Sequence, residues 1–171
     1  TLASFAAWKF QLYAPAPPRF QKLTFRRGTI LNARFAPDGN SVVYGAALEG
    51  NPVELFTTRP ESPESKSLGL PAANVLAVSE TGELAISLGQ RLLAGWETVG
   101  TLARVPMSGG APRELLENVQ DADWSPDGNS LAVTHRVADR VRLEYPIGTV
   151  RYEATGWLSH PRFSRDGRYL A

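Results

Sequence analysis

The sequence predicts an all-β protein, a β-propeller of four-stranded antiparallel blades, incomplete, with about three blades and the start of a fourth. Three observations carry the prediction. A strand–turn–strand segment recurs four times along the chain. Its glycines, at positions 39, 82, 128 and 167, are spaced by 43, 46 and 39 residues, which is the length of a propeller blade. Between the copies lie further strand-like runs, the inner ones apolar and the outer ones polar.

The repeats occupy residues 33–44, 76–86, 122–133 and 161–171. In each, an apolar or aromatic residue ends one strand: Phe35, Val78, Trp124 and Phe163. A tight turn follows, written Pro37-Asp38-Gly39 in the first copy and Pro126-Asp127-Gly128 in the third. Proline presets φ near −65° at the first central position. Aspartate bonds its own backbone, and glycine accepts a positive φ without a Cβ clash. The fourth copy keeps Asp166 and Gly167 but has Arg165 for proline, and the second keeps only Gly82, after Glu80-Thr81. These residues are structural turn residues, and the three aspartates are read as turn formers, not acid catalysts.

The remaining strands align in the same way. Third strands are expected over 53–58, 101–105 and 141–145, where apolar and polar residues alternate. Outer strands are expected over 65–68, 112–116 and 149–153. The blades then run over roughly 29–70, 71–117 and 118–156, with a truncated unit at 157–171. Residues 20–25 have the character of an outer strand without a blade of its own. The chain stops inside the second strand of its fourth unit, which reads as a fragment of a longer protein.

Ahead of the propeller, residues 1–9 hold a short apolar run ending at Trp8 and Lys9. This reads either as the end of a membrane helix that begins earlier, anchored at the interface by an aromatic and a basic residue, or as a simple lead-in. Residues 10–19 follow as a proline-rich linker, stiffened by Pro15, Pro17 and Pro18. Composition limits the partners. With 18 basic and 17 acidic residues, scattered along the chain, there is no field to gather nucleic acid. Cysteine is absent, which excludes disulfides and thiolate metal sites. The expected partner is a protein or a small ligand.

At the level of its turns the chain resembles the TolB-like, WD-repeat-like propellers of bacteria. Phe35 to Tyr44 and Trp124 to Val133 match that pattern fully, Phe163 to Ala171 with one departure, and Leu76 to Ile86 with two. The order of apolar stub, proline-rich stalk and propeller, with residues 20–28 and 100–115, resembles the extracytoplasmic C-terminal propeller of membrane-anchored bacterial serine/threonine protein kinases. That resemblance implies a non-catalytic sensor or interaction domain on the periplasmic side of the inner membrane, with a kinase domain elsewhere in the protein. The alternatives are the gating propeller of a prolyl-oligopeptidase-type serine peptidase, or a TolB-type periplasmic scaffold.

No catalytic constellation, phosphate loop or nucleophile elbow is written in the chain, and no cofactor is implied. Asp121 and Asp123 with Asp127 miss the spacing of a calcium loop and lack its closing glutamate. The two histidines, His135 and His160, suggest no metal site. His160 stands just before an inner strand and is a candidate channel contact. Trp96, in the loop after Leu92 and Leu93, is the best candidate for an exposed recognition residue.

Overall fold

The structure is a computed structural model that describes residues 17–171 except Trp96. The membrane-helix reading of residues 1–9 and most of the proline-rich linker therefore lie outside the described residues. The described chain is all β, with no helix. Its first sheet is formed by β1 (Gly28–Phe35), β2 (Val42–Leu48), β3 (Glu54–Arg59) and β4 (Ser62–Pro71), in sequence order. The second sheet joins seven strands in sequence order: β5 (Ala73–Val78), β6 (Glu83–Leu92), β7 (Thr98–Pro106), β8 (Arg113–Trp124), β9 (Leu131–Val137), β10 (Arg140–Glu144) and β11 (Val150–Ala154). Every pairing is antiparallel between chain neighbours, as in a meander of blades.

The two sheets count as three blades because β8 serves two of them. Its first half pairs with β7 (Leu102 opposite Leu116), its second half with β9 (Ala122 opposite Val133). The outer strand of one blade therefore runs straight into the inner strand of the next. No proline or glycine interrupts residues 113–124, so nothing forces a loop there. The redirection is made by Asn118 alone, at φ 57°. Asparagine tolerates this left-handed conformation better than most residues. Ala72, at φ 53°, stands at the corresponding junction between β4 and β5.

Residues 20–25 depart from expectation, since they form no strand. They find no ladder partner; instead Gln21 Nε2 donates to the Pro60 carbonyl at 3.0 Å. Arg26 lies over the Phe56 ring at 5.7 Å. The segment thus lies across the outer side of the first sheet, where Tyr44, Ala46, Leu48 and Phe56 form a small apolar cluster and the Tyr44 and Phe56 rings stack at 5.5 Å.

The core lies between blades. Val43 and Leu55 of the first sheet pack against Val75, Leu84, Ile86 and Val105 of the second. Leu76, Ala85 and Leu102 face Val119, Trp124, Leu131 and Val133 in the same way one blade further on. Strands buried on both faces explain why β2, β5 and the 84–87 part of β6 are largely apolar. Stacking, not any blade by itself, buries the apolar surface.

Candidate ligand-binding cleft

The inner strands β1, β5 and the second half of β8 lie side by side, with residues 161–163 following them. Side chains stitch these strands together. Asn32 Nδ2 donates to the Val75 carbonyl at 2.9 Å. The Asp121 and Asp123 carboxylates accept from the backbone N–H groups of His160 (3.1 Å) and Phe163 (3.0 Å). The two aspartates that resembled part of a calcium loop thus hold the next unit in place. Arg34 sits among them, half-buried, and donates to Asn32 Oδ1 and the Ala33 carbonyl. Burial lowers its pKa from the usual arginine value, and repulsion from Arg162 adds to this, while Asp121 and Asp123 oppose it.

At one end of these strands the four turns follow one another. In each, two backbone bonds close the hairpin, as in Gly39 N to Ala36 O (2.9 Å) and Ala36 N to Ser41 O (2.8 Å). Gly39, Gly82, Gly128 and Gly167 have φ of 67–78°. Pro37 and Pro126 are exposed at the first central position. Asp38 accepts from the N–H groups of Asn40 and Ser41 at 3.0 and 2.7 Å and from the Ser41 hydroxyl at 2.6 Å. Those bonds, with Arg59 nearby, hold its pKa at about 2. Asp127 and Asp166 are lowered in the same direction, first by the hydroxyls of Ser125 and Ser164. The second turn is one residue shorter, closing from Ser79 to Glu83, and Thr81 replaces the aspartate by pairing with Ser79 Oγ at 2.9 Å.

At the opposite end lies a cleft of about 380 Å³ lined by Leu31, Asn32, Asn74, Leu76, Gln90, Glu97, Thr98, Gln120, Asp121, Trp157, Ser159 and His160. Most of these are amides, hydroxyls and carboxylates set around a few apolar side chains, a lining more polar than usual for small-molecule sites, in which a ligand would be held by hydrogen bonds. His160 takes a left-handed backbone (φ 56°), accepts or donates at Nδ1 with Ser159 Oγ (2.8 Å), and meets the Trp157 ring edge-on at 6.4 Å. Asn74 and Gln120 are more than nine-tenths buried, yet Asn74 Oδ1 and Gln120 Oε1 have no hydrogen-bond partner. Asn74 fits only because its neighbour across the blades is glycine: a Cβ on Gly45 would come within 2.1 Å of Asn74 Oδ1.

Trp96 lies outside the described residues, but the hairpin that carries it is closed by Leu93 N to Glu97 O at 2.8 Å, and Glu97 lines the cleft. His135 is elsewhere, paired at 2.8 Å with the buried Glu144, whose other oxygen accepts from Gly148 N. Sequence reasoning passed over Asn74, Gln90 and Gln120. Isolated amides within strands carry no motif; a buried amide in an otherwise apolar strand is the one signal they leave.

No protein-family model and no curated protein sequence matches the chain. A solved structure does: the crystal structure of TolB from Acinetobacter baumannii superposes with a TM-score of 0.58 at 17% identity, covering 81% of this chain. Over the matched region the chain has a TolB-like, partial propeller fold. It spans 36% of the length of that TolB chain, in keeping with an incomplete ring.

Proposed function

We propose that this chain is a non-catalytic propeller that binds a ligand or partner outside the cytoplasm, as the sensor part of a membrane-anchored bacterial serine/threonine kinase. The observation that carries the binding role is the cleft beside His160, with buried amide oxygens lacking partners in its wall. Buried polar groups are ordinarily satisfied, so an unsatisfied acceptor beside a cleft is one that a ligand or water can complete. The placement outside the membrane is supported by the order of parts: an apolar run closing on Trp8-Lys9, a proline-rich spacer, then the propeller.

The test is a pair of fusions in the full-length protein, one reporter active only in the cytoplasm and one active only outside it, each placed after Ala171. An active outside reporter, with a kinase domain encoded upstream, is the expected result. An active cytoplasmic reporter, or a hydrolase nucleophile elbow encoded downstream, overturns the reading; the second result points to the peptidase alternative.

A further inference from the structure

We propose that the cleft beside His160 is a binding site for a small neutral polyhydroxylated ligand, a mono- or disaccharide. The inference deepens the binding role above and rests on it. Gln120 Oε1, in the wall of the cleft, is a buried acceptor left without a donor, so it is where a ligand donor gains most. The terminal torsion of an amide side chain is broad, so the Gln120 amide can turn its oxygen toward a donor in the cleft, whereas Asn74 is held by its bond to Gln90 Oε1 at 3.2 Å. Sugar hydroxyls supply such donors in several directions at once.

The charge pattern selects a neutral ligand. Glu97 is already paired with Arg136 at 2.7 Å, and Asp121 already accepts from His160 N at 3.1 Å. Glu97 thus adds no uncompensated charge, and Asp121 spends one oxygen on a backbone N–H, so the cleft offers a cation a single carboxylate among many neutral acceptors. A divalent metal ion is also poorly served: among the described residues no group of three or more His, Asp or Glu is placed to hold one. The exposed Trp157 ring supplies the remaining element, an aromatic surface on which the C–H face of a sugar ring can rest. The volume, about 380 Å³, falls in the range of small-molecule sites, roughly 300–1,000 Å³.

The experiment is isothermal titration of the full-length protein with glucose, galactose, N-acetylglucosamine and maltose, with butane-1,4-diamine as the cationic control. At least one saccharide should bind, and both Gln120→Leu and Trp157→Ala should weaken it about tenfold or more. Trp157 is exposed, so its substitution leaves the core untouched, and a thermal melt of each variant reports folding separately. Binding of no saccharide, binding unchanged in both folded variants, or diamine binding that displaces the sugar overturns the proposal. The reporter fusions are indifferent to all of these results, so failure here and failure of the extracytoplasmic reading are separable.

Discussion

The Arg104 guanidinium lies 4.7 Å from the centroid of the Trp124 ring, and the same group pairs with Glu83. Arg104 belongs to β7 of the second blade, whereas Trp124 closes the inner strand of the third. One cation thus joins two blades on the side of the turns. A partly desolvated cation–π contact contributes about 0.5–2 kcal/mol, and a half-exposed ion pair adds little. Arg104→Ala should therefore lower stability by about 1–2 kcal/mol in urea unfolding, with Arg104→Met recovering only the packing of the stem. An unchanged midpoint for Arg104→Ala would show that the contact is incidental.

Gly128 should be intolerant of substitution. It has φ 70°, and a Cβ there would lie 3.7 Å from Ser79 and Thr81 of the preceding turn. There is room for the Cβ itself; the conformation is what resists it. A β-branched residue held at positive φ costs of order 1–3 kcal/mol. Gly128→Val should lower the melting temperature clearly, and Gly156→Val, at a glycine without positive φ and with open space around it, should not. Equal melting of the two variants would remove the strain argument.

The turn aspartates make stability depend on acid. Asp38 has a folded pKa of about 2 against an ordinary value of 3.8, and Asp127 and Asp166 shift the same way. A depressed folded pKa means that the unfolded chain binds more protons in this window. The stabilisation is complete above about pH 4 and is lost as pH falls toward about 2. Asp38→Asn should flatten that part of the stability–pH curve measured by denaturant unfolding. A variant curve parallel to the parent curve between pH 4 and 2 would contradict the assignment.

Much of the fold was legible because a few residues repeat with a mechanical reason. Pro126, Asp127 and Gly128 each have one job in one turn, and that job is local. The fusion of outer and inner strands into β8 was not legible, because it depends on one left-handed residue, Asn118, that no motif marks. Residues 20–25 had the character of an outer strand, but a strand exists only if a ladder partner is present. The cleft was half legible. His160 stood out by its place before an inner strand, whereas Asn74 and Gln120 gained meaning only when the blades brought them to one wall.

An open run of blades leaves apolar surface uncovered on both sides. Phe35 of β1 is 70% exposed and Tyr169, at the far end, 67%; Ile30 and Leu31 are also exposed. Propeller blades bury such faces against neighbouring blades, and uncovered edges and apolar faces promote association. Size-exclusion chromatography with light scattering therefore tests the incomplete-ring reading most directly. Residues 17–171 alone should run as a mixture of associated species, and the same residues extended through the rest of the encoded ring as a monodisperse, more heat-resistant domain. A stable, clean monomer from residues 17–171 would contradict it, because the chain would then close its core without further blades.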